Sequence, residues 1–311
     1  MSAVALAARD RGIVIAGLIA LVSASWLYLW SAAAAMPVMG VPAAASVAMP
    51  SYAPWAGAEL ATLTIMWVVM MVGMMLPSAA PMMIMFATIE RRRCAAGSPV
   101  ARTALFLLGY VVIWSVFSVV AAGAQWVLHR AALLSAMMVS TSPLLGGVLL
   151  IAAGVFQWTP LKHRCLRMCR SPIGFLLGEW RERPRGAVVM GLRHGLLCVG
   201  CCWTLMALLF VAGVMNLLWV AVITAFVLVE KVVPRGDAVG RAAGVLLVAG
   251  GAAMLVVSLG VFDTSHGAIP RGASWLRSPL QRPRNDVGAL LELAGRARRE
   301  MLTPWRRDAV R

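Results

Sequence analysis

Residues 12–35, "GIVIAGLIALVSASWLYLWSAAAA", contain no charged side chain. A helix of that length rises about 36 Å, enough to cross the roughly 30 Å hydrocarbon core of a bilayer. Six further apolar runs follow, at Glu59–Thr88, Thr103–Leu128, Leu144–Thr159, Ala187–Val214, Asn216–Glu230 and Arg241–Phe262. A membrane span has to satisfy its backbone hydrogen bonds internally, which makes such runs helices. The expected fold is therefore all-α, a polytopic transmembrane helical bundle of about seven spans. A composition that is 61% hydrophobic and 13% charged fits a bundle in lipid better than a soluble core of this length.

The chain divides into three parts. Residues 1–58 read as an N-terminal membrane anchor followed by a linker with Pro37, Pro42, Pro50 and Pro54. A signal peptide cut near Ala32–Ala35 is the competing reading. The apolar stretch exceeds the 7–15 residues usual for a signal-peptide core, which favours an uncleaved anchor. Residues 59–262 form the bundle, and residues 263–311 an arginine-rich tail. Within the tail, "DVGALLELAGRARREML" (286–302) has the pattern of an amphipathic helix on a membrane surface.

The formal net charge is +16, carried mostly in the connections between apolar runs. In a membrane protein such charge reports orientation and contact with anionic lipid. No basic face with interleaved aromatics points to nucleic acid. Lys and Arg alternate between rich and poor connections, with Arg91, Arg92, Arg93 and Arg102 after the second run and none between 36 and 58. That alternation places the N-terminus in the cytoplasm. It also places the basic tail outside, against the positive-inside rule, and so keeps a six-span count with the tail inside as the alternative.

Six cysteines and twenty methionines are the unusual part of the composition. Soft sulfur donors suit copper(I) best and zinc next. The fifth run contains "HGLLCVGCCW" (194–203). On a helix His194 and Cys198 lie one turn apart on the same face, Cys201 falls near that face, and Cys202 is displaced from His194 by roughly 80°. An ionisable histidine inside a span is costly unless it faces a partner or a cavity, and a bound metal supplies the cation that thiolates need in low dielectric. The competing reading is packing, because cysteine serves well as a small hydrophobe.

The second run, "IMWVVMMVGMMLPSAAPMMIMF" (65–86), places Met66, Met70 and Met74 in one row and Met71 and Met75 in a second. Thioethers bind copper(I) without proton release, although methionine also fills irregular cores. Pro77 and Pro81 are expected to kink or break this helix, freeing carbonyls near a pocket at Met74–Ser78. The basic connection 161–186 sets Cys165 and Cys169 four residues apart, on one face if helical. Three readings stay open for that pair: a second soft-metal site, a redox pair, or incidental cysteines on a lipid-facing basic helix. Glu230 and Lys231, at the end of the sixth run, read as an interfacial ion pair, with a proton or metal acceptor as the alternative.

The blocks "WVVMMVGMMLPSAAP", "TPLKHRCLRMCRSPIGF", "GLRHGLLCVGCCWTLMALLFVAGVMNLLW" and "VEK", in that order and spacing, resemble the domain-of-unknown-function family numbered 2182. Its members are described as predicted metal-binding integral membrane proteins of bacteria. The likeness covers roughly residues 60–260. It implies metal binding at His194, Cys198, Cys201 and Cys202, at Cys165 and Cys169, and at the Met74–Ser78 block.

The sequence thus points to a soft-metal protein, copper(I) first and zinc second, acting in transport or delivery with a metal-donor or acceptor protein. The expected ligands are His194, Cys198, Cys201 and Cys202, with Met70, Met74 and Met75 as a relay and Cys165 with Cys169 as an acceptor. Two rivals remain: a membrane thiol–disulfide enzyme, and a structural subunit whose cysteines only pack. Hydrolytic and phosphoryl-transfer chemistry has no support, since the chain carries no phosphate-binding loop and no nucleophile elbow.

Overall fold

The computed structural model describes residues 3–35, 57–93, 98–130, 142–214 and 216–259. The Pro-rich linker, Cys94 and the tail with its expected amphipathic helix lie outside them. All regular structure among the described residues is helical, as the all-α expectation requires. Helices α1 (Ala3–Ala35), α2 (Gly57–Arg93), α3 (Pro99–Arg130), α4 (Pro143–Phe156), α5 (Pro160–Arg170) and α6 (Pro172–Glu179) come first. Helices α7 (Pro184–Ala207), α8 (Leu209–Ala212), α9 (Leu217–Val232) and α10 (Gly236–Ser258) follow.

Among the described residues, five stretches are long and apolar enough to cross a membrane: Arg9–Ala34, Leu60–Arg93, Pro99–Arg130, Pro184–Ala212 and Gly236–Ser258. The number becomes six if α4 and α5, bent by 63° at their junction, count as one broken span. That is fewer than the seven apolar runs and reaches the six-span alternative at most, for two local reasons. Helix α9 has 16 residues and rises only about 24 Å. The run expected at Leu144–Thr159 ends as a helix at Phe156, because Pro160 disfavours helical geometry at Thr159. Thr159 is extended (ψ 143°) and its hydroxyl caps the Lys162 N–H at 3.3 Å, so a new helix starts in a new direction.

The 161–186 segment is accordingly not a simple polar loop. Helix α5 packs on α7, and α6 packs on α2. Of the kink or break expected at Pro77 and Pro81, the break does not occur, since α2 continues as helix through both. A proline removes a donor and crowds the preceding turn, and side chains bond to the backbone just before Pro77. The Met75 carbonyl accepts from the Ser78 hydroxyl at 2.9 Å and from the Tyr110 hydroxyl at 3.3 Å.

Helix α3 is the axle of the part that carries the cysteines, packing against both α2 and α7. The α3–α7 contact is backbone on backbone. A Cβ at Gly191 would lie 2.0 Å from the Phe106 carbonyl oxygen, and one at Gly109 would lie 2.3 Å from that of Val188. Such close crossings are how helices associate where burial of apolar surface cannot drive them. Helices α2 and α7 meet mainly through side chains, across the flank of α3. Long residues fill the space between them: Met70, Met71, Met74, Met75, Tyr110 and Met206 are each 0–1% exposed.

Candidate metal-binding site

Helix α7 buries His194, Cys198, Cys201 and Cys202 at 0–3% exposure. Cys198 is the centre of the cluster. Its Sγ lies 2.9 Å from Lys231 Nζ at the end of α9 and 3.2 Å from the Tyr110 hydroxyl on α3. Lys231 also donates to Ser78 Oγ on α2 at 3.0 Å. Three helices therefore meet at one sulfur, and α2 joins them through Lys231.

Cys202, one turn on, donates to the Cys198 carbonyl at 2.9 Å and places its Sγ 4.0 Å from Met75 Sδ. Cys201 is rotated the other way around the helix. It donates to the same carbonyl at 3.1 Å, and Cys169 on α5 is among its side-chain neighbours. Cys165 also faces α7, with its Sγ 2.8 Å from where a Cβ at Gly200 would stand. The two cysteines of α5 thus share the face that their spacing predicts, and that face points at the cysteine helix.

The other expected ligands are placed differently. Met70 and Met74 are buried in the same core, but the thioether against the thiols belongs to Met75. His194 sits in a box of rings, with centroids 5.6 Å from Tyr110, 5.5 Å from Phe175 and 6.0 Å from Phe106. Its Nδ1 is buried without a hydrogen-bond partner. Among the described residues, no three His, Cys, Asp or Glu side chains are placed so as to hold a metal ion. The Cys202 thiol lies against the Met75 thioether, with Cys198 one turn before it on α7, and two thiols with a thioether suit a monovalent soft metal.

Sequence reading mispaired the ionic partners. Glu230 does not pair with its neighbour Lys231. Its carboxylate oxygens lie 2.7 and 2.8 Å from Lys162 Nζ on α5, and both side chains are buried. Lys162, counted among the basic loop residues, is 1% exposed. Adjacent positions on a helix point about 100° apart, so Glu230 and Lys231 cannot face one partner together. That geometry was available from the sequence; the identity of the partners was not.

The family profile for PpoB2, described as a copper chaperone, matches residues 64–254, well over half of the chain. The chain belongs to the PpoB2 family. The match supports the metal-related family expected from the sequence and a copper-related role, and it spans every helix from α2 through most of α10. The family number expected from the sequence is not part of that match. No curated protein and no solved structure matched the chain. All the residues just described as meeting at Cys198 lie inside the PpoB2 match.

Proposed function

We propose that the chain is an inner-membrane copper(I)-binding protein that passes copper to an acceptor protein, with its N-terminus in the cytoplasm. The observation that carries this reading is the meeting of Cys202 Sγ and Met75 Sδ, from two different helices, beside the buried Cys198 thiol. Membership of a family described as copper chaperones gives that sulfur cluster its cargo. Cys198 and Cys202 with Met75 hold the ion. Met70 and Met74 extend the thioether surface along α2, and His194 lies one turn away on α7. Cys201 with Cys169, and Cys165 beside them, form a second sulfur group to which copper moves. Weak thioethers followed by stronger thiols give the graded affinity that directional transfer needs.

The test is the copper content of purified chain, by elemental mass spectrometry under reducing conditions. Wild type is expected to hold copper, and a variant with Cys198, Cys201 and Cys202 all changed to serine is expected to lose it. Equal copper in the two proteins overturns the reading.

A further inference from the structure

Lys231 is a buried cation whose neighbours are sulfur and oxygen atoms with no formal carboxylate among them. The other buried charged side chains all have ionic partners: Asp10 pairs with Arg91, Glu90 with Arg102, and Lys162 with Glu230. No ion pair of Lys231 occurs among the described residues. The adjacent Glu230 carboxylate is occupied by Lys162, and the closest groups to Lys231 Nζ are Cys198 Sγ and Ser78 Oγ. An unbalanced charge in such a place is expensive, so the charge of Lys231 belongs to whatever occupies the cysteine site.

We infer that Lys231 makes the Cys198–Cys202–Met75 site selective for monovalent over divalent soft metals, by fixing the charge that the loaded site must carry. This rests on the copper-binding reading and deepens it. Two thiolates, one monovalent cation and one ammonium sum to zero, and the thioether adds a donor without adding charge. A divalent ion on the same donors leaves one positive charge uncompensated in a water-poor interior, where Coulomb terms are large. A third thiolate would cancel it, but Cys201 bonds the Cys198 carbonyl, and among the described residues its sulfur is neither a hydrogen-bond partner of Lys231 Nζ nor the thiol against Met75 Sδ. The fourth nearby polar group, the Tyr110 hydroxyl, bonds to Cys198 and to the Met75 carbonyl and brings no charge of its own.

The experiment uses purified full-length chain in detergent, with Ag(I) as the monovalent probe and Cd(II) as the divalent one. Apparent affinities are measured by competition dialysis. K231M and K231Q remove the charge and are expected to lower the Ag(I):Cd(II) affinity ratio at least tenfold. K231R keeps the charge and is expected to stay within threefold of wild type. An unchanged ratio in the folded neutral variants overturns the inference. Should both neutral variants fail to fold, Ser78→Asp decides: a carboxylate in place of the hydroxyl to which Lys231 donates cancels the ammonium and is expected to lower the Ag(I):Cd(II) ratio at least tenfold. A ratio within threefold of wild type in folded Ser78→Asp also overturns the inference. If wild type binds neither Ag(I) nor Cu(I), the copper reading itself has failed. Silver binding with an unchanged ratio sinks the selectivity claim alone.

Discussion

A single residue at the centre of this molecule is either matched by a partner or it is a liability, and Lys162 shows how sharply. Its ammonium is 1% exposed and held by both oxygens of Glu230. Removing one member of a buried pair leaves the other charge stranded, at a cost of about 3–5 kcal/mol, while replacing both by apolar groups is often neutral. Glu230→Gln is therefore expected to lower the unfolding midpoint strongly in detergent. A chain carrying both Lys162→Met and Glu230→Met recovers most of the loss. A single variant as stable as wild type would show that the pair does not hold α5 against α9. The residue scale is also where sequence reading was least complete. The cysteines, their spacing and the proximity of Met75 to Ser78 were visible, because they are local. Lys231, Lys162 and Tyr110 gave no sign of their roles, since a buried lysine and a loop lysine are written with the same letter until the fold brings a partner to one of them.

Elements were more legible than residues, with failures that have physical causes. Long apolar helices declare themselves by composition, and α1, α2, α3, α7 and α10 all coincide with expected runs. Helix α5 did not, because a hydropathy window reads "KHRCLRMCR" as polar loop, although its inward face carries Lys162, Leu166 and Cys169, all buried. Gly191 shows how closely α7 packs on α3. A methyl group there would stand 2.0 Å from the Phe106 carbonyl oxygen and 3.1 Å from the Tyr110 nitrogen, so α3 and α7 must part to admit it. Gly191→Ala is expected to cost about 1–3 kcal/mol, as overpacking does. It should also weaken copper binding, since Tyr110 and Cys198 are carried on the two helices being separated. Gly123→Ala on α3, where nothing lies within 4 Å of the new methyl, should leave both unchanged. Matching melting curves and copper contents for the two variants would mean that the α3–α7 crossing does not position the site.

At the scale of the whole molecule, the groups that surround Cys198 come from α2, α3, α7 and α9, spread over more than 150 residues of sequence. No segment of the chain can assemble them alone, and all of them lie within the 64–254 span of the family profile. Every cysteine of the protein precedes residue 203, and the tail beyond 262 contributes a single methionine, Met301. The bundle and the tail therefore separate by chemistry: one has the soft donors, the other has ten arginines and no thiol. A chain ending at Phe262 is expected to retain the copper stoichiometry and the melting temperature of the full-length protein. What it should lose is the tail's attraction to anionic surface, worth about 1 kcal/mol per basic residue held near such a membrane. Full-length protein would then bind vesicles rich in anionic lipid more tightly than the shortened chain, and the difference would shrink as salt screens it. Copper measured in both chains, side by side with vesicle binding at low and high salt, separates these roles. If the shortened chain folds but holds no copper, the donors within α2–α9 are insufficient and the tail has to be part of the site.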